Sequence, residues 1–127
     1  MSIYIAIALG GSAGAMSRYW VTSTAYIWLG HEFSYGTLIV NVLGSLVMGF
    51  LTVLLVQRFN VSDDIRLGLM VGFLGSFTTF STFAMDTIHW LESGAILKAL
   101  AYVFISVLFC VLGAWAGLLT AKQIFLR

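Results

Sequence analysis

Runs of residues without charge divide the chain. Residues 33–57 carry no Asp, Glu, Lys or Arg and lie between Glu32 and Arg58. A second such run, residues 67–85, lies between Arg66 and Asp86, and a third, residues 99–121, between Lys98 and Lys122. Each is close to the ~20 apolar residues that carry a helix across the hydrocarbon core. Residues 3–29 are apolar throughout except for Arg18 near the middle. The pattern predicts an all-α integral membrane protein, a single four-helix domain over residues 1–127 with spans at 3–29, 33–57, 63–91 and 95–121. The connections at residues 30–34 and 92–94 are short, so neighbouring helices run antiparallel. Ser62-Asp63-Asp64 predicts an N-cap and an acidic first turn for the third helix.

That third helix is too long. From residue 63 to residue 91 an unbroken helix runs roughly 43 Å at 1.5 Å per residue, against a hydrocarbon core of ~30 Å. Either the helix tilts or it is interrupted. The chain has no proline to break it. Its centre, Gly75-Ser76-Phe77-Thr78-Thr79-Phe80-Ser81-Thr82-Phe83, is nevertheless poor helix material, because Gly, Ser and Thr weaken the backbone ladder or compete with it. Broken backbone at this depth survives only where protein or a water-lined site satisfies it. A break is expected between Gly75 and Thr79.

Composition agrees and narrows the choices. Of 127 residues 61% are hydrophobic and 9% charged, far below the roughly one quarter charged of a soluble domain. A net charge of +1 offers no field for nucleic acid. One cysteine, Cys110, excludes an internal disulfide and any multi-cysteine metal site. The N-terminal apolar run lacks the basic residues of a signal peptide, so it reads as the first span. Glycines recur at a spacing of four in Gly10/Gly14, Gly68/Gly72 and Gly113/Gly117. Such pairs let helix backbones touch, either within the chain or at a subunit interface. Four helices enclose little interior, which favours function between subunits.

Polar groups at membrane depth are costly, so their spacing is informative. Thr37, Asn41 and Ser45 fall on one face of the second segment, and Tyr102, Ser106 and Cys110 on one face of the fourth. Phe80 and Phe83 lie three apart on the third, flanked by Ser81 and Thr82. Hydroxyls and amides donate to anions, and ring edges carry the positive end of the ring quadrupole. Cations are normally read by carboxylates or carbonyl arrays. A lone Ser or Thr in such a helix more often bonds its own backbone, and paired Phe residues more often pack. No serine or cysteine is spaced for pairing with a base, since His31 and His89 fall near the span ends. An enzyme is not expected.

Three stretches carry a resemblance. Gly36-Thr37-Leu38-Ile39-Val40-Asn41-Val42-Leu43-Gly44-Ser45, the run from Gly72 through Thr78-Thr79-Phe80-Ser81-Thr82-Phe83, and Gly10-Gly11-Ser12-Ala13-Gly14-Ala15-Met16-Ser17-Arg18-Tyr19 together resemble the motifs of the Fluc (CrcB) family of bacterial fluoride channels. The resemblance extends over the whole chain. It implies a multi-pass protein of the bacterial inner membrane, an antiparallel dual-topology homodimer with two fluoride pores, each lined by both subunits. By position, Phe80 and Phe83 would face fluoride with their edges, Asn41 would be the pore amide, and Ser81 and Thr82 would flank the rings. Tyr102 and Ser106 would form the polar track, with Thr37 at one end. A structural sodium ion at the dimer centre would be held by the backbone carbonyls of Gly75 and Thr78. Such an ion is the cofactor implied; fluoride, lipid and a second copy of the chain are the partners.

Some features resist this reading. Cys110 stands where the family resemblance leads one to expect a hydroxyl. Asp86, one turn beyond Phe83, reads as a vestibule residue, a partner of a basic group, or the end of the span. Arg18 reads either as a vestibule residue attracting anions or as a side chain snorkelling to the interface. With the N-terminus inside, Arg58, Arg66, Lys122 and Arg127 lie inside and Lys98 outside, a bias that favours one orientation where an antiparallel dimer needs both. The runner-up is a small dual-topology multidrug transporter, which resembles a mechanism built on a carboxylate in the first helix; residues 3–29 contain none. A haem-bearing membrane anchor would want His in mid-span.

Overall fold

A computed structural model describes residues 2–127. Helix α1 runs Ile3–Leu29. Helix α2 starts at Tyr35–Leu51 and continues through wide i→i+5 turns over Thr52–Arg58. Asp63–Leu67, a second wide-turned stretch Gly68–Leu74 and Gly75–Phe77 follow one another as a single rod, α3. After two extended residues comes α4, Phe80–Glu92, and then α5, Ile96–Phe125. Among the described residues, three helices are long and apolar enough to cross a membrane: Tyr35–Arg58, Asp63–Glu92 taken across its interruption, and Ile96–Phe125. Helix α1 has the length but falls outside that set, because Arg18 and a run of Gly and Ser dilute its apolar residues.

The corners follow local rules. Gly30 and Gly94 end α1 and α4 in the left-handed region, at φ 80° and 81°, where a side chain would be strained. Asn60 takes φ 44° in the turn before α3, a conformation its short amide tolerates. Ser62 precedes α3 as expected, but its hydroxyl makes no capping bond. Asp63 instead pairs with Arg66 at 2.7 Å, one turn on.

Two helix pairs form the body: α1 lies along α3, and α2 along α5. A methyl on Gly14 would run into the Phe73 carbonyl, and one on Gly117 into the Leu46 carbonyl. The glycine pairs therefore serve close packing inside the chain, which settles for these positions the choice that the spacing left open. Val40, Val53, Tyr102 and Thr37 are the largest side chains wholly enclosed. Large apolar residues such as Trp28, Leu97 and Trp115 face outward, the inverse of a soluble surface and the pattern a lipid solvent requires.

Gly14→Val is expected to cost roughly 1–3 kcal/mol of overpacking, read as loss of resistance to steric-trap unfolding in bicelles. Gly75→Ala, where a new methyl would meet the Met70 carbonyl only at 3.9 Å, should cost less than about 1 kcal/mol on the same scale.

Candidate functional site

The break is narrower than the sequence implies. Gly75–Phe77 is still helical, and two residues, Thr78 (φ −84°, ψ 159°) and Thr79 (φ −151°, ψ 112°), are extended. Their polar groups are met from three sides. Asn41 on α2 clamps the Thr79 backbone: its Nδ2 donates to the Thr79 carbonyl at 3.0 Å, and its Oδ1 accepts the Thr79 N–H at 2.7 Å. Arg18 on α1 donates to the Thr78 carbonyl at 3.3 Å. Thr78 returns its own hydroxyl to the Leu74 carbonyl at 3.0 Å.

Thr79 also starts the next helix. Its Oγ1 accepts the Thr82 N–H at 3.3 Å, the N-cap geometry that satisfies an orphan donor of α4. The Thr79 hydroxyl donates to Thr82 Oγ1 at 3.0 Å and lies 3.4 Å from Ser81 Oγ. Sequence reasoning took this hydroxyl run as poor helix material. Thr79, an N-cap residue type just before the apolar-periodic run Phe80–Phe83, is the signal that would have located the new helix start.

A cavity of ≈ 340 Å³ opens beside the break. Asn41 and Ser45 line it from α2, Thr78 and Thr79 from the break, Phe80 and Phe83 from α4, and Ser106, Val107, Cys110 and Val111 from α5. The two polar stripes read from the sequence thus meet across one space. No wall residue carries a formal charge. One Asn41 N–H is spent on Thr79; an amide has two, so a second remains on a residue of the wall. Ser106 Oγ is buried without a hydrogen-bond partner, so its hydroxyl keeps a donor that the chain does not use. The Phe80 and Phe83 rings sit 5.3 Å apart at 48°. Phe83 is enclosed, whereas Phe80 is 78% exposed, so the cavity is bounded by apolar surface open on one side.

Other expected residues lie elsewhere. Tyr102 and Thr37 are fully buried next to the cavity without lining it. Tyr102 packs on Phe83 at 5.2 Å and meets Phe33 and Trp90 edge to face. Its hydroxyl donates to Asp86 Oδ2 at 3.2 Å, so Asp86 is held by a phenol and not by a basic group. Ser81 and Thr82 are exposed and turn their hydroxyls to Thr79. Arg18 is half-buried and neither free in a vestibule nor extended to an interface, since the break carbonyl holds it. Lys98 ties the loop before α2 to α4, its ammonium 4.7 Å above the Trp90 ring and donating to the Glu32 carbonyl.

The carbonyls assigned to a sodium ion differ in fit. The Thr79 N–H, which would close an α-turn onto Gly75, goes to Asn41 instead. That frees the Gly75 oxygen, a hard donor suited to a hard cation. The Thr78 oxygen keeps one lone pair but already faces a guanidinium, a like charge to any metal ion beside it.

Comparison with known proteins places this sequence. Residues 5–118 match the family described as CrcB-like protein, Camphor Resistance (CrcB). A protein of Methylococcus capsulatus named fluoride-specific ion channel FluC is 48% identical over 94% of this chain. The chain spans 52% of that relative's length. Proteins of the same name from Hydrogenovibrio crunogenus and Geobacter sulfurreducens are 45% and 40% identical, over 95% and 98% of this chain and 92% and 100% of their own.

The chain belongs to the CrcB family.

Within that family the break, its clamp and the paired rings give the match a physical core, since each motif that carried the resemblance contributes a side chain to one locus. Asn41→Ala would leave the Thr79 peptide unsatisfied. We expect a loss of about 1–3 kcal/mol, together with faster hydrogen–deuterium exchange at the Thr79 and Thr82 amides than in the unaltered chain.

Proposed function

We propose that this chain forms a fluoride-specific ion channel, through which cytoplasmic fluoride leaves passively down its electrochemical gradient. The observation that carries the reading is the cavity wall beside the break. It offers a spare Asn41 N–H and two phenyl rings, with the unpartnered Ser106 hydroxyl enclosed in the wall and no carboxylate among them. Such a wall supplies donors to an anion stripped of water and no counter-charge to trap it, the compromise conduction requires. In a cell with its interior negative, each 100 mV adds about 2.3 kcal/mol to the outward drive on a monovalent anion. The relatives' name, fluoride-specific ion channel, agrees with this chemistry.

The channel spans the bacterial inner membrane with four helices. Helix α1 joins the other three because its one charge, Arg18, is compensated at the Thr78 carbonyl. Two copies assemble antiparallel, and the exposed Phe80 face is where the second copy closes each of two pores. Tyr102 and Thr37 back the path from their buried places beside the cavity, with Asp86 held by the Tyr102 hydroxyl; Ser81 and Thr82 brace the Thr79 cap behind the rings, and Arg18 secures the break at the Thr78 carbonyl. The Gly75 carbonyl, and the Thr78 carbonyl where Arg18 leaves it a lone pair, are the groups that would hold a sodium ion between the two copies, and such an ion would supply positive potential beside the anion path. The multidrug-transporter reading lacks support, because α1 has no carboxylate to couple protons.

Passive efflux from proteoliposomes tests this, with a fluoride electrode and chloride as control. Rapid fluoride release with negligible chloride release is the expected result; no release from folded dimers would remove the channel reading. Phe80→Ile and Phe83→Ile should each slow fluoride efflux at least tenfold, about 1.4 kcal/mol of barrier, with dimers intact by light scattering. Unchanged flux in both would take the rings out of the pore.

A further inference from the structure

The two ends of the helix bundle treat their cations differently. At the end formed by the loops before α2 and after α4, Lys98 is spent on the Trp90 ring and the Glu32 carbonyl. The other end gathers the last turns of α2 and α5 and the start of α3, and it carries Arg58, Arg66, Lys122 and Arg127. Asp63 engages Arg66 there, and Asp64 shares its turn. Arg58, Lys122 and Arg127 are exposed, and among the described residues none of the three forms an ion pair. A ladder of rings supports this group. The Arg58 guanidinium carbon lies 5.5 Å from the centre of the Phe59 ring. Phe59 meets Phe125 of α5 at 6.1 Å, and Phe125 meets Phe50 of α2 at 6.0 Å, both edge to face. Lys122 precedes Phe125 by three residues, so cations from two helices converge on one ladder. Holding a guanidinium by a ring face uses none of its N–H donors.

We infer that Arg58 and Lys122, on the Phe59/Phe125 ladder, form a binding site for the phosphate headgroup of an anionic phospholipid. Both helices are long and apolar enough to cross a membrane, and the two cations stand where those helices end, at headgroup depth. Val56, Phe59, Ile124 and Leu126 are exposed beside them. Acyl chains below a headgroup cover such apolar surface; a soluble anion would leave it bare. Arg58 offers phosphate a planar fork of donors, and Lys122 adds a mobile point charge. A zwitterionic lipid brings an ammonium of its own, which these side chains repel. The site therefore prefers a headgroup whose only charge is the phosphate, as in phosphatidylglycerol. The inference stands on the helix ends and the ring ladder, and not on the channel reading.

Native mass spectrometry of the delipidated chain in neutral detergent tests this, with phosphatidylglycerol and phosphatidylcholine as the probes. One phosphatidylglycerol per chain should bind roughly tenfold more tightly than phosphatidylcholine, and higher ionic strength should narrow the gap. Arg58→Gln combined with Lys122→Gln should abolish the preference; both side chains are exposed, and circular dichroism checks that the helices are kept. Lys98→Gln, at the opposite end, should retain it in full. Phe59→Ala keeps every charge but removes the ring under Arg58, and it should weaken phosphatidylglycerol binding roughly threefold. Equal retention of the two lipids, or a preference undiminished in the double variant, would overturn the site. Loss of the preference in Lys98→Gln would move it to the other end. Unchanged binding in Phe59→Ala would remove the ladder from it. Displacement of the lipid by millimolar inorganic phosphate would reassign the site to a soluble anion and overturn the lipid as its occupant.

Discussion

The pairing of one side-chain amide with one backbone peptide underlies the arrangement of the rest. At membrane depth an unpaired N–H or C=O has no water to turn to, and each costs several kcal/mol. Thr79 departs from the helix there, so both of its backbone groups must be met by another element. Asn41 meets both with a single side chain, at 2.7 and 3.0 Å, in the manner of a neighbouring strand. Because the clamp ties α2 to the break, it sets the direction in which α4 departs. The Thr79 hydroxyl then caps that helix, and the cap places Phe80 and Phe83 one and four residues beyond it.

The clamp works because two helix pairs are packed closely enough to bring its partners within reach. Glycine contacts bring α1 onto α3 and α5 onto α2 at backbone distance. In lipid there is no hydrophobic gain in joining one apolar helix to another, so intimate van der Waals contact has to do that work. The first of these contacts also carries Arg18 to the Thr78 carbonyl. A charge that would otherwise penalise α1 in a bilayer thereby serves to hold the break.

The cavity is a by-product of the same geometry. Where α3 ends and α4 sets off, α2 and α5 are left with a polar face each and no helix between them. Their side chains supply donors, a thiol and apolar walls in one space of ≈ 340 Å³. It stays open on the side of Phe80, whose ring is exposed. Tyr102, by contrast, is closed in by Phe33, Phe83 and Trp90 and bound to Asp86, so it stiffens the site from behind.

Much of this was legible in the residues. Uncharged runs marked three membrane-capable helices, since charge and lipid exclude one another, and the Gly-Ser-Thr run announced an interruption where no proline stood. The polar stripes at Thr37/Asn41/Ser45 and Tyr102/Ser106/Cys110 were visible because a helix repeats its face every three or four residues. What tertiary structure alone decided was the partner of each polar group. Helical periodicity places Asn41 on a face, but the peptide it clamps lies 38 residues away. The same holds for Arg18, whose two sequence readings both missed the Thr78 carbonyl, and for Asp86, which found a phenol. Spacing along one helix constrains only that helix; hydrogen bonds between helices depend on register, crossing and distance, and these emerge only when the backbones pack.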